Sequence, residues 1–330
     1  METVLSGIRS TGHLHLGNYF GALRNYIKMQ DEYNCFFFVA DLHSLTTHPH
    51  PDDFHSGVKT ILTEYLAAGL DPYKSAIFVQ SDVPEIVELY VLLNMIAYKG
   101  ELERTAAFKE KVRKNPENVN AGLLTYPVLM AADILIHRAN KVPVGKDQEQ
   151  HLEVARLLAR RFNNLYGAEI FPEPQAFNFG SDLVKVPGLD GGGKMGKSEG
   201  NGVYLYDDEK TIHKKVMRAV TDAGPTEPNS KKAEPVENLF TLLKIVSAPE
   251  TVVQFSEAYN NCTIRYGDLK KQLATDICNH TLPIRERIEE ISRDDAFLKR
   301  VIKRGTEKAR ESASATLSEA KKAVGFRSFL

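Results

Sequence analysis

The chain of 330 residues contains no tryptophan and only three cysteines, Cys35, Cys262 and Cys278, which lie far apart and form no C-x-x-C pair. That spacing argues against a disulfide framework, a structural zinc site or an iron–sulfur cluster. No apolar run is long enough to cross a bilayer and no charged-then-apolar leader opens the sequence, so no membrane association and a cytoplasmic location are expected. Neither sign of charge is in excess: 42 Lys and Arg stand against 43 Asp and Glu, which excludes a generally basic coat for nucleic acid but not a local basic face. No internal repeat or low-complexity stretch stands out. The remaining composition, 42% hydrophobic and 26% charged, is ordinary for a globular chain long enough for one large or two medium domains.

What is present is organised around Leu5-Ser6-Gly7-Ile8-Arg9-Ser10-Thr11-Gly12-His13-Leu14-His15-Leu16-Gly17-Asn18. Thr3-Val4-Leu5 reads as a short buried strand, and Tyr19 to Met29 carries apolar residues at helical spacing. The loop between them runs from the carboxyl end of a strand to the amino end of a helix, where free backbone N–H groups and the helix dipole favour an anion. Gly7, Gly12 and Gly17 permit tight turns or close approach, and His13 and His15 can each donate to a phosphate. Phosphate handling is the chemistry suggested; a Gly/His-rich turn that merely joins two elements has the same composition.

Asn34-Cys35-Phe36-Phe37-Phe38-Val39-Ala40-Asp41 is an apolar run ending in polar residues, the pattern of a parallel strand buried on both faces, and it delivers Asp41 and His43 to the same sheet edge. Pro51-Asp52-Asp53 starts a helix that Gly69 stops, Ala76 to Ser81 is a third strand, and Val83-Pro84 starts the next helix. The order β-α-β-α-β predicts a doubly wound, Rossmann-like parallel sheet with its switch point beside the first loop. From Glu85 to about Arg138 the pattern is helical, with a loop at Arg113-Lys114-Asn115-Pro116-Glu117-Asn118, an insertion at about 85–140. Lys141-Val142-Pro143-Val144-Gly145 reads as a short strand before a helix from Gln148 to Tyr166, making a second strand–turn–helix edge.

Phe171 to Ser198 has little regular pattern and ends in Gly188-Leu189-Asp190-Gly191-Gly192-Gly193-Lys194-Met195-Gly196-Lys197-Ser198. It matches neither the dinucleotide G-x-G-x-x-G fingerprint nor G-x-x-x-x-G-K-[ST], because Met195 follows Lys194. Two lysines separated by two residues behind glycines suit a mobile phosphate clamp, or else a solvated linker between domains. From Asp207 the pattern is helical, with breaks at Gly224-Pro225, Pro228-Asn229-Ser230, Gly267 and Pro283. The expected organisation is an α/β domain over 1–206 and an all-α C-terminal domain over 207–330. Lys214, Lys215, Arg218, Lys299, Arg300, Lys303 and Arg304 in the latter suit either a solvated face or nucleic-acid contact.

His15-Leu16-Gly17-Asn18 after a first strand and Lys194-Met195-Gly196-Lys197-Ser198 after the sheet domain resemble the two signatures of class I aminoacyl-tRNA synthetases, usually written HIGH and KMSKS. Gly100-Glu101-Leu102-Glu103-Arg104, Leu124-Thr125-Tyr126-Pro127, Met130-Ala131-Ala132-Asp133-Ile134-Leu135 and Val142-Pro143-Val144-Gly145-Lys146-Asp147-Gln148 narrow the resemblance to the bacterial-type tryptophanyl-tRNA synthetase family, from about residue 3 to 222 and more weakly beyond. The resemblance implies activation of L-tryptophan with ATP and Mg²⁺, the ion held mainly by the phosphates, to tryptophanyl-adenylate plus pyrophosphate. Transfer to tRNA(Trp) follows. It also implies a homodimer whose helical domains meet the anticodon while the acceptor end enters the other subunit's site.

Family roles then fall on matching positions. Arg9, Ser10, Thr11, Gly17 and Asn18 would line the ATP site, with His15 and Asn18 near the α-phosphate. Gly145, Lys146 and Asp147 would hold the ribose and adenine side. Lys194, Met195, Gly196, Lys197 and Ser198 form the closing loop, whose lysines would draw pyrophosphate away, and Lys111 would add a phosphate contact. Indole needs a flat apolar slot and one acceptor for its N–H, which makes Asp133 its reader. Met130 and His43 would cover the ring faces, with Leu5, Gly7, Val142 and Val144 as walls, and Tyr126 and Gln148 available to the ammonium and carboxylate. Two departures matter: Gly196 replaces the central serine of KMSKS, and Leu5 stands where many relatives have an aromatic residue. The absence of tryptophan from the chain would spare synthesis of such an enzyme during tryptophan shortage, or it is chance. The tyrosyl branch of the same fold, a small-molecule nucleotidyltransferase and a non-catalytic synthetase-like protein are the competing readings.

Overall fold

A computed structural model describes residues 1–145, 149–177, 185–197 and 199–327. Five strands, β1 (Thr3–Arg9), β2 (Asn34–Ala40), β3 (Ala76–Val79), β4 (Lys141–Val142) and β5 (Gln175–Ala176), form one parallel sheet in the order β3-β2-β1-β4-β5. This is the doubly wound sheet that the alternating pattern predicts. Because β1 lies between β2 and β4, the winding reverses at β1, and a crevice opens beyond the carboxyl ends of β1 and β4.

The helices follow from local chemistry. After α1 (Leu16–Asn18) comes a π-helical turn, Tyr19–Leu23, and then α2 (Arg24–Met29), so the predicted single helix is wound differently at its start. Helix α3 (Asp41–Ser44) begins at the residue assigned to the end of the second strand. Helix α4 (Pro51–Ala68) starts with Pro51 behind the side-chain cap of His50 and stops at Gly69, whose φ of 118° is left-handed. The insertion comprises α5 (Pro84–Asn94), α6 (Lys99–Glu103), α7 (Ala106–Lys114) and α8 (Ala121–Ile136), followed after β4 by α9 (Glu149–Tyr166). The foreseen loop is shorter than predicted: α7 runs through Lys114, and Pro116–Asn118 makes a 3₁₀ turn.

The remaining helices are α10 (Glu209–Met217), α11 (Glu234–Val246), α12 (Pro249–Asn260), α13 (Tyr266–Ser292) and α14 (Asp295–Val324). Gly267 and Pro283 do not break the pattern; both lie within α13, whose buried face runs from Leu269 through Ile277 to Ile284. Burial on both sides of Pro283 outweighs its missing backbone donor. Strand β5, in the stretch read as irregular, consists of two exposed residues fixed by Gln175 N–H to Asn140 O at 2.8 Å and Phe177 N–H to Val142 O at 3.0 Å.

Two apolar clusters cover the faces of the sheet, one with Val4, Phe37, Val39 and Ile77, the other with Leu5, Phe36, Phe38 and Phe78. Helix α14 contributes to both. Leu298 and Val301 join the first cluster and Ala309, Ala313 and Leu317 the second, so the helix passes around the edge strand β3 between them. At the crossing stands Gly305, where a Cβ would lie 1.9 Å from the carbonyl oxygen of Ile77; only glycine lets the helix and strand backbones approach this closely.

Candidate active site

The loop after β1 is held from three sides. Ser10 donates from N and from Oγ to Ser44 Oγ at 3.1 and 3.0 Å, tying the end of β1 to α3. Gly12 turns the chain with φ 67°. The carboxylate of Glu64, on α4 and fully buried, accepts from Leu14 N at 2.6 Å and lies 2.6 Å from His13 Nδ1. Next, His15 and Asn18 cap α1 reciprocally: Asn18 N donates to His15 Nδ1 at 3.2 Å, and His15 N donates to Asn18 Oδ1 at 3.1 Å. Burial, with the charges of Lys197 and Lys194 adding, lowers the His15 ring to about 4, so it is neutral at pH 7. Since Nδ1 accepts, the neutral ring carries its proton on Nε2, which makes His15 a single-proton donor rather than a cation.

The second signature is folded against the first. Gly188 N–H to Gly193 O at 2.9 Å and Met195 N–H to Val186 O at 2.9 Å make residues 186–195 a narrow hairpin. Met195 is buried: its Cβ is 3.4 Å from where a Cβ on Gly17 would stand, and its Cγ is 3.2 Å from that of Gly202. Leu16 N–H to Val203 O and Leu205 N–H to Leu14 O, both 2.9 Å, join the segment after the hairpin to the first loop. Lys197 reaches across, its Nζ donating to Gly12 O at 2.8 Å. Burial lowers the Lys197 ammonium to about 8; the carboxylate of Glu64 opposes that shift and Arg9 reinforces it. At Gly196 the N–H donates to Asn201 Oδ1 at 3.0 Å, and a serine Cβ would stand 3.0 Å from Glu199 Cγ, so a side chain there would need the Glu199 side chain to shift slightly.

On the opposite face of the sheet, Asp133 of α8 is buried and carries two donors: His43 Nε2 lies 2.8 Å from Oδ2, and Gln80 Nε2 donates to Oδ1 at 2.7 Å. Burial raises its carboxyl, while the bonds to His43 and Gln80 hold it down. His43 therefore pairs with Asp133 directly and packs edge-on against Tyr126 at 4.4 Å between ring centroids. The Nδ1 atom of His43 and Oε1 of Gln80 are buried without a hydrogen-bond partner. Lys111 of α7 sits over the Tyr126 ring at 4.3 Å, its ammonium lowered by burial and by Arg9, which places it beside the end of β1. Leu5, Met130, Val142 and Val144 share the apolar cluster on this face, and Gly7 is in register with Phe38. A cavity of about 290 Å³ beside His43 and Tyr126 is lined by Leu42, Leu45, Val87 and Tyr90 but not by Asp133 or Met130.

The structure thus brings Arg9 to Asn18, Lys111, Lys194 to Lys197 and the Asp133 group to the carboxyl-terminal edge of one sheet, with Gly145 following β4. Lys146, Asp147, Gln148 and Ser198 lie outside the described residues. Sequence reasoning missed Glu64, Gln80, Asn201 and Tyr206, whose ring stacks on His13 at 3.7 Å. Glu64 had a signal, a charged residue between the apolar positions Leu62 and Tyr65 of an amphipathic helix. No group of three or more His, Cys, Asp or Glu among the described residues could hold a metal ion.

Comparison with known proteins agrees with this geometry. Residues 2–280 match the family described as tRNA synthetases class I (W and Y). The tryptophan–tRNA ligase of Porphyromonas gingivalis is 68% identical over 327 residues, 99% of this chain and 100% of that protein. That of Rickettsia bellii is 42% identical over 98% of this chain and 99% of its own. Among solved structures, the tryptophanyl-tRNA synthetase of Campylobacter jejuni complexed with ADP and tryptophan superimposes with a TM-score of 0.87 at 34% identity, covering 98% of this chain and 100% of that one.

Proposed function

The chain belongs to the class I tRNA synthetases of the tryptophan and tyrosine family, and from that premise we propose how its cleft works as a tryptophan–tRNA ligase. The activity joins L-tryptophan to ATP as tryptophanyl-adenylate, releases pyrophosphate, and passes tryptophan to tRNA(Trp). The amino-acid carboxylate is itself the nucleophile, so the site has to position it and stabilise charge at the α-phosphate. The observation that carries the reading is the contact of Lys197 with Gly12, which sets the lysine loop on the phosphate loop that His15 and Asn18 cap.

In this reading Nε2–H of His15 faces the α-phosphate. Lys111, Lys194 and Lys197 supply positive charge to the departing pyrophosphate, Lys197 exchanging Gly12 O for a phosphate oxygen as it does so. Asp133 accepts the indole N–H through a lone pair that His43 and Gln80 leave open, each carboxylate oxygen having room for two donors. A divalent ion fits poorly on the protein here, since Lys111, Lys194 and Lys197 gather at the phosphate loop, the Glu64 carboxylate there is taken up by His13 and Leu14, and the described residues hold no group of three or more His, Cys, Asp or Glu that could bind one; Mg²⁺ would be held by the nucleotide's own oxygens. Residues 1–206 would be the catalytic domain and 207–330 the tRNA-binding helices, acting in the cytoplasm where charged tRNA is used. A homodimer is supported by Val87, Val91, Met95 and Tyr98, exposed together along α5 and the turn after it.

Amino-acid-dependent ATP–pyrophosphate exchange tests the reading. Tryptophan should stimulate exchange and tyrosine or phenylalanine should not; stimulation by tyrosine would assign the chain to the other branch of the family.

A further inference from the structure

We propose that Glu64 is a positioning residue of the ATP site, acting through His13 and the Leu14 amide to hold Gly12 where Lys197 engages it; this rests on the function proposed above. Glu64 lies outside both signatures, on the second turn from the end of α4, with its side chain 1% exposed. A carboxylate so buried is retained only if its oxygens are occupied, and both are, each by a contact of 2.6 Å to consecutive residues of the phosphate loop. Leu14 is thereby fixed twice, through its N–H by Glu64 and through its carbonyl by Leu205 N–H at 2.9 Å. His13 is held between Glu64 and the Tyr206 ring. The residue immediately before this pinned pair is Gly12, in a left-handed turn that glycine adopts freely. Its carbonyl is the acceptor of Lys197.

Two consequences separate this role from general packing. Glu64 faces the cluster that contains Ile61, Tyr65 and Leu66, whereas Leu5, Met130 and Val142 belong to the cluster on the other face of the sheet. Loss of Glu64 should therefore reach the nucleotide and leave the amino-acid pocket alone. The carboxylate also favours the charged form of Lys197, so removing it weakens the lysine as well as the loop.

The test uses the full chain and the variants Glu64→Ala, Glu64→Gln and His13→Ala. ATP affinity is titrated without amino acid, and KM for ATP and for tryptophan is measured in the exchange assay. Loss of charge-assisted hydrogen bonds predicts a rise in ATP Kd and KM of about ten- to a hundredfold for Glu64→Ala. KM for tryptophan should stay within about twofold, a difference too small to represent a lost contact. Glu64→Gln, which keeps an acceptor for Leu14 N–H, should recover part of the loss, and the double variant with His13→Ala should be no worse than Glu64→Ala alone. Unchanged ATP affinity in Glu64→Ala and His13→Ala, or an equal rise in both KM values, overturns the proposal. If Glu64→Ala does not fold, His13→Ala decides, because its ring is partly exposed and its loss leaves the core intact. A wild-type chain that binds ATP but shows no tryptophan-dependent exchange would refute the function proposed above, while the ATP titration of the variants would still decide the role of Glu64.

Discussion

His43 Nε2 lies 2.8 Å from Asp133 Oδ2, and the two side chains are 4% and 2% exposed, so the residue proposed to read the indole is held in place before any substrate arrives. With Gln80 on the other oxygen, the carboxylate cannot rotate without losing a bond inside the core.

Asp133→Asn keeps the shape but turns one acceptor into a donor facing donors. It should lower kcat/KM for tryptophan by up to roughly 10⁴-fold, the scale for a site left with unpaired polar groups, while ATP affinity without amino acid is preserved. Exchange kinetics with tryptophan as the varied substrate measure this; wild-type kcat/KM in the variant would remove Asp133 from the pocket.

Lys197, if it serves the phosphates as proposed, sets an alkaline limit. Its ammonium, lowered to about 8 by burial, is charged below that pH and neutral above it, so kcat/KM for ATP should be level below pH 8 and fall as pH rises past it. Lys197→Arg, whose guanidinium does not titrate in this range, should lose the fall even if its overall rate is lower. A pH profile of exchange in which both enzymes decline alike would assign the limb to another group.

His137 makes the fold sensitive to acid. Its ring is buried, stacked on Phe36 at 4.5 Å, and burial alone lowers it to about 3 from 6.5. Above pH 6.5 neither the folded nor the unfolded chain protonates it. Between 6.5 and 3 the unfolded chain takes up a proton that the folded chain refuses, so stability falls as pH falls. By pH 5 the loss should be about 2 kcal/mol, and His15, lowered to about 4, adds to it with the same sign. Thermal unfolding at pH 7 and pH 5 reads it, and His137→Gln should flatten the dependence.

Gly305→Ala should be among the most damaging single-methyl additions in the chain. The new Cβ meets backbone, the Ile77 carbonyl, which cannot move as a side-chain end could. A loss of about 3 kcal/mol or more in urea unfolding is expected, against the gain of about 1 kcal/mol by which alanine ordinarily stabilises a helix position held by glycine. Unchanged stability would mean that α14 is not seated on β3 there.

Much of this was legible before the fold was known. Hydrophobic runs located the three long strands, Pro51 and Gly69 bounded α4, and the two signature loops, which the fold brings into contact, stood out by their residue types, because each depends on local propensity or on residues that suit one task. Other features depend on neighbours that sequence order does not reveal. Pro283 lies unbroken in α13 because the surrounding face is buried, and β5 exists only through its bonds to Asn140 and Val142. Glu64 reads as a helix charge until α4 packs under the loop after β1. His43 was read as a ring cover for indole; that its Nε2 also lies against the Asp133 carboxylate had no signal in the sequence.

The course of α14 around the edge of β3 also bears on how the molecule is made. Strands β1 to β3 leave the ribosome within the first eighty residues, yet the outer edge of β3 is sealed only after Gly305 has followed. For more than two hundred residues of synthesis the growing chain carries an uncovered strand rich in Ile and Phe, the kind of edge to which other chains add. A product stopped before α14 would therefore be prone to aggregation as well as shorter.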